Sequence, residues 1–291
     1  MNGRVLFLVL ASGLGWGLAA AAQQAEFRKF GNLVFAEVDG PELLLDLYLP
    51  QASKPPPLIV YVHGGAWRTG SKDSMPLTAL LGEGYAIASV DYRHTPEAPF
   101  PAQVHDIKAA IRFLRGNQSR YPYDGRKVAI AGSSAGGHLA ALVGVTNHSA
   151  ELEGFVGPHL DQSSEVDAIV AYFGASNLLT MLHQSTPRAL SVRKPALRRL
   201  LGGQPEQRRQ LAMLASPVFH VDRSDPPLLL LHGDQDQQMP INQSHELHGK
   251  FKSLGLPVAF QVLHGAAHDG KVFYDEARTR VVSSFLASFG I

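Results

Sequence analysis

Short, uninterrupted apolar runs alternate with stretches of helical spacing along most of this chain. Leu58–Val62, Tyr85–Val90, Val128–Ala131, Ala168–Phe173 and Leu228–Leu231 are continuous runs of the kind that parallel strands buried on both faces require. Val258–Val262 reads as a further, more alternating strand. Between them the spacing of apolar positions predicts helices around Met75–Leu81, Ala102–Leu114, Ala135–Val145, Gln243–Leu254 and Val272–Phe289. Earlier in the chain, Leu33–Val38 and Leu43–Leu49 flank an Asp39-Gly40-Pro41 turn and predict an antiparallel hairpin. The expected architecture is α/β: a mostly parallel central sheet, an antiparallel N-terminal hairpin and helices on both faces.

Two segments break this rhythm. From about 176 to 217 no strand is evident, and the polar, Arg-rich sequence predicts a cap-like helical insert over the site. Its basic residues, Arg188, Arg193, Lys194, Arg198, Arg199, Arg208 and Arg209, read as a solvated helical face, with an anion-recognition surface as the alternative. At the other extreme, Arg4 precedes an apolar run from Val5 that ends in Ala20-Ala21-Ala22, the pattern of a signal peptide over 1–22 cleaved before Gln23. The expectation is a single catalytic domain over 23–291, secreted or periplasmic and free of the membrane once the signal is removed.

Composition narrows the chemistry. With 45% hydrophobic and 18% charged residues, the 291-residue chain can bury one sizeable core. A formal net charge of +1 gives no field for nucleic acid. The chain has no cysteine, which excludes disulfides, thiolate metal sites and a thiol nucleophile. Its 13 histidines include no H-E-x-x-H spacing, and the His245/His248 pair has only Glu246 beside it, so neither a metal nor another cofactor is expected.

What chemistry remains is centred on Gly132-Ser133-Ser134-Ala135-Gly136, a G-x-S-x-G pattern at the junction of a strand and a helix. Such an elbow projects a hydroxyl from the end of a buried strand and needs small neighbours, because its backbone is strained. A serine is a weak nucleophile unless a base lies within hydrogen-bond reach and a third group orients that base. Carboxylates follow the strand at Leu228–Leu231, where Asp234 and Asp236 both qualify: the first nearer the strand end, the second able to reach across. Histidines follow Val258–Leu263, where His264 abuts the strand and His268 has room to swing over the serine. His232 reads as a strand-end packing residue. Upstream, His63-Gly64-Gly65-Ala66-Trp67 follows a strand and matches the loops whose N–H groups stabilise an oxyanion, here those of Gly65, Ala66 and Ala135. Trp67 could either line an acyl pocket, as a substrate-binding residue, or pack the core.

Taken in order, HGGAW, the stretch Asp91–Leu114, GSSAGGHLA, HGDQDQQMP and HGAAH resemble the hormone-sensitive-lipase-like branch of the α/β-hydrolase superfamily, nearest to its bacterial bifunctional feruloyl and acetyl esterases. The resemblance spans Leu43 to Ile291. It implies Ser134 as nucleophile, Asp236 as acid and His268 as base, with Tyr92, Arg93, Pro96, Glu97, Phe100, Pro101 and Asp106 on a structural signature. Ser133 stands where the lipase-like branch has an acidic residue, Ala66 where it has a third glycine, and an N-terminal helical cap is missing. These departures favour the feruloyl-esterase-like subset over long-chain lipid hydrolysis. The function implied is a secreted serine carboxylic-ester hydrolase acting on small-molecule or polysaccharide-linked esters of short-chain, acetyl or hydroxycinnamoyl groups. The alternatives are a serine peptidase of the prolyl-oligopeptidase type and a non-catalytic binding protein on the same scaffold; oligomeric state is left open.

Overall fold

The computed structural model describes residues 26–291, so the segment read as a signal peptide lies outside the described residues. These residues form an eight-stranded sheet in the order β1-β2-β4-β3-β5-β6-β7-β8. The hairpin strands β1 (Phe27–Glu37) and β2 (Glu42–Pro50) pair antiparallel, and β2 pairs antiparallel with β4 (Ala86–Val90). The rest is parallel: β3 (Pro57–Val62), β5 (Asp124–Ser133), β6 (Ala168–Tyr172), β7 (Leu228–Gly233) and β8 (Val258–Leu263). Side-chain alternation splits β3 between two cores. Leu58, Val60 and Val62 enter one, and Ile59 and Tyr61 the other, so each apolar run is covered on both faces.

Helices α1 (Thr78–Gly82), α2 (Ala102–Gly116), α3 (Ala135–Gly144) and α4 (Ala150–Glu153) precede β6. Then come α5 (Met181–Gln184), α6 (Pro187–Leu201) and α7 (Arg209–Leu214) of the insert, followed by α8 (Asn242–Ser253) and α9 (Glu276–Ser288). The start of the insert is fastened to α8 through buried Gln243. Its Oε1 accepts from the N–H groups of Ser176 and Asn177 at 2.9 and 2.8 Å, while Glu246 accepts from Asn177 Nδ2 at 2.7 Å. Among the described residues no helix is long and apolar enough to cross a membrane.

Two of the expected helices shift by several residues. The helix expected at Met75–Leu81 contracts to the five residues of α1, and the one expected over Val272–Phe289 starts only at Glu276. There Asp275 caps the helix by accepting from the Arg278 N–H at 2.9 Å, which fixes the start more firmly than the apolar pattern does.

Chain order reverses between β3 and β5, with β4 on one side and β6 on the other. In open parallel sheets a crevice forms at such a switch point, outside the carboxyl ends of the strands. The loop that begins at His63 follows the carboxyl end of β3 and Ser134 follows that of β5, so both line this crevice.

Candidate active site

Ser134 has φ 54° and ψ −116°, a backbone region that L residues rarely adopt. It is held there by small neighbours: a Cβ on Gly136 would fall on the Val62 carbonyl, and one on Gly64 would come 3.0 Å from Ser133 O. Its own N–H donates to Tyr172 O at 2.9 Å, and its carbonyl accepts from the His138 N–H at 3.0 Å. The hydroxyl is thereby aimed out of the sheet at the start of α3.

The structure brings Ser134, His268 and Asp236 into one hydrogen-bonded line. Ser134 Oγ lies 2.9 Å from His268 Nε2, and His268 Nδ1 lies 2.6 Å from Asp236 Oδ2. Phe173 packs edge-on against the imidazole at 4.8 Å between ring centroids. The Asp236 carboxylate is wholly buried, and its Oδ1 also accepts from the N–H groups of Gln238 and Met239, both at 2.8 Å. Burial alone would raise its pKa; the hydrogen bonds from His232 and His268, the charge of His268 and the Met239 N–H hold it well below the usual carboxylate range. This carboxylate stays ionised and acceptor-only.

The rival residues pair with each other elsewhere. His264 Nδ1 lies 2.7 Å from Asp234 Oδ2, and the Gly265 N–H donates to Asp234 Oδ1 at 2.8 Å, on an exposed rim. His232 is more than a packing residue: its Nε2 sits 3.2 Å from Asp236 Oδ2 and its Nδ1 2.7 Å from Ser244 Oγ, so the acid is flanked by two imidazoles. The four-residue spacing between His232 and Asp236 was visible in the sequence. It says nothing of contact until the loop between them is known to fold back.

In the second loop, Gly65, Ala66 and Trp67 all have positive φ, at 114°, 52° and 60°. Gly65 and Ala66 line the cleft, and among the described residues their N–H groups have no acceptor. Ala135, the first residue of α3, is fully buried and sits behind Ser134 rather than on the cleft wall; its N–H belongs to the helix turn whose donors have no intrahelical partner. The same helix end favours negative charge.

Trp67 does not touch the cleft, which corrects the substrate-binding reading. Its side chain is fully buried, and its Nε1–H donates to His138 Nδ1 at 3.1 Å. His138 Nε2–H donates in turn to Ala215 O at 2.7 Å. The indole therefore ties the Gly65–Ala66 loop to α3 and to the end of the insert, and the two bonds require the neutral imidazole.

His63 begins the same loop, stacks on Tyr92 at 4.4 Å and donates from Nδ1 to the Gly64 carbonyl at 2.8 Å. Burial pushes both His63 and His138 down to about 4 from an ordinary 6.5. Between those values the unfolded chain binds a proton at each site that the folded chain excludes. Stability should thus fall as pH drops from 6.5 towards 4, below which these two histidines add no further loss. The loss is of order 3 kcal/mol per histidine. Urea unfolding across this window should show it, and His138→Gln, which keeps a donor for Ala215 O, should flatten the slope by about one proton. An unchanged slope would show that His138 does not contribute.

Tyr92, Arg93 and Asp106 of the sequence signature make structural contacts. Arg93 forms a bidentate pair with buried Asp106, Nη2 to Oδ1 at 2.7 Å, and Tyr92 OH donates to His63 O at 3.1 Å, so this segment braces the loop from behind. Ser133, in place of an acidic residue, meets Tyr61 OH at 2.8 Å on the cleft floor. The cleft itself encloses about 740 Å³, and α6 of the insert supplies Val192 and Arg193 to its wall.

A sequence profile described as BD-FAE matches residues 45–251. The chain is similar to esterase LipC of Mycobacterium tuberculosis (strain ATCC 25618 / H37Rv), 33% identical over 261 residues, covering 86% of this chain and 62% of LipC. It spans between 43% and 62% of the length of the first three curated relatives that it matches. In structure it is similar to a truncated carbohydrate esterase from gut microbiota, with TM-score 0.79 and 30% identity, covering 92% of this chain and 98% of that one. A bifunctional GH43-CE protein of Bacteroides eggerthii gives TM-score 0.79 and 31% identity over 90% of this chain and 35% of the other.

Proposed function

The chain belongs to the BD-FAE family and has the α/β-hydrolase fold, and we propose that it is a serine esterase in which Ser134, His268 and Asp236 act as nucleophile, base and orienting acid. The observation that carries this reading is the continuous line from Ser134 Oγ through His268 to Asp236, with contacts of 2.9 and 2.6 Å. In the first half-reaction Ser134 Oγ attacks the ester carbonyl carbon while His268 Nε2 takes the hydroxyl proton. Ionised Asp236 accepts from Nδ1–H and stabilises the imidazolium. Negative charge on the carbonyl oxygen is met by the N–H groups of Gly65, Ala66 and Ala135. Collapse expels the alcohol, which receives the proton from His268; water then attacks the acyl-serine by the same route in reverse, releasing the acid. Every group is supplied by the protein or by water.

The substrate reading is an ester of an acetyl, short-chain or hydroxycinnamoyl group, on a small molecule or a polysaccharide. It is supported by the similarity to a carbohydrate esterase and by an open cleft of about 740 Å³. Export remains a reading of the sequence of residues 1–22. An organophosphonate should label the protein stoichiometrically, with the adduct mapped by mass spectrometry to Ser134, and 4-nitrophenyl acetate, methyl ferulate and acetylated xylan should rank its preferences. An adduct on any other residue, or hydrolysis that survives full labelling, would overturn the assignment.

A further inference from the structure

Helix α6 is amphipathic, and its buried face runs through Ala189, Arg193, Ala196, Leu197 and Leu200. An arginine thus occupies a position where the helical period calls for an apolar residue. It is 2% exposed, yet it lines the cleft that contains Ser134 and His268. Its Nε donates to the Gln238 carbonyl at 3.0 Å, which fixes the plane of the guanidinium. The remaining Nη donors have no acceptor among the described residues, and no carboxylate there lies within ion-pairing distance. Asp236, the opposing charge that acts on it, has both oxygens committed to His268, His232 and two main-chain N–H groups. A guanidinium cannot shed its charge as a lysine can, so this one sits buried and ionised without an ion-pair partner, the Asp236 charge acting on it only through space. Arg68, on the rim of the same cleft, adds a second positive charge near it.

The carboxylates of the cleft stand apart from this pair. Asp73 is engaged by Lys72 at 3.3 Å, and Asp269 acts on Tyr61 and Tyr274. With Nε already used, Nη1 and Nη2 present the end-on fork that matches two oxygens of one anion.

Resting on the esterase reading above, we propose that Arg193 binds a carboxylate of the substrate, so that the cleft selects esters carrying an anionic group. That group belongs either to the acyl part, as in a half-ester of a dicarboxylic acid, or to the alcohol part, as in an acetylated uronate sugar.

The test compares kcat/KM within two matched pairs: monomethyl against dimethyl adipate for the acyl side, and O-acetylated methyl glucuronoside against O-acetylated methyl glucoside for the alcohol side. The wild-type protein should favour the carboxylate member of one pair by about tenfold, mainly through KM, and that pair identifies the source of the anion. Arg193→Gln should reduce this ratio to about one, and Arg193→Lys should retain part of it. Because the readout is a ratio, a general loss from a displaced Gln238 loop divides out. Independently of any variant, adipate or glucuronate at about 10 mM should inhibit hydrolysis of 4-nitrophenyl acetate by the wild-type protein competitively. No preference in either pair, or an equal preference in Arg193→Gln, would overturn the proposal, as would an absence of inhibition by both anions. Failure of the wild-type protein to hydrolyse every neutral ester would instead overturn the esterase reading beneath it.

Discussion

Ser134→Ala should lower kcat on 4-nitrophenyl acetate by about 10⁴-fold or more while leaving the thermal unfolding curve close to that of the wild type. The substitution removes one oxygen from a residue whose backbone is held by its neighbours. The Ser134 N–H would still donate to Tyr172 O and its carbonyl would still accept from His138, so the φ of 54° needs no help from the hydroxyl. The loop N–H groups would also survive, which leaves a residual rate from charge stabilisation alone. Activity within tenfold of wild type would remove Ser134 from the nucleophile's role.

Asp236→Asn should cost about 10³- to 10⁴-fold in kcat, and the reason is orientation as much as charge. Two main-chain N–H groups, of Gln238 and Met239, point at Oδ1 and would select the oxygen of the new amide. The amide nitrogen would then face His268 Nδ1, which must become an acceptor and carry its proton on Nε2, aimed at Ser134 instead of ready to receive from it. By contrast, Asp234→Asn disturbs only the exposed pairing with His264 and Gly265 and should change kcat less than about threefold. The opposite pattern between the two variants would reverse the choice of acid.

Why the sequence resolved some of this and not the rest is clearest at particular residues. The parallel strands were legible because each is buried on both faces, and an uninterrupted apolar run has few other uses in a chain of this kind. β5 extends four residues before the expected start at Val128, because Asp124, Arg126 and Lys127 continue the strand where it emerges from the core and no apolar signal remains. That a serine, a carboxylate and a histidine would meet from the loops after three strands followed from the strand pattern plus chain order, whereas Asp236 was separated from Asp234 by the family resemblance. Trp67 did not resolve, since an aromatic after a glycine pair suits a pocket or a core equally, and its partner His138 lies 71 residues away. Arg193 could have been singled out. The basic insert reads as a solvated face, but the apolar period along α6 skips one beat, and the residue that fills it is this arginine.

The insert is fastened to the acid-bearing loop at two points, Thr186 Oγ1 to Gln237 O at 3.2 Å and Arg193 Nε to Gln238 O at 3.0 Å. On the function proposed above, recognition and proton handling are therefore not separable modules. A chimera that receives only a relative's insert would misplace its own acid, whereas one exchanging the insert together with residues 236–239 keeps the two in step. Evolution along this lineage faces the same restriction: new selectivity has to arrive as a matched pair of segments.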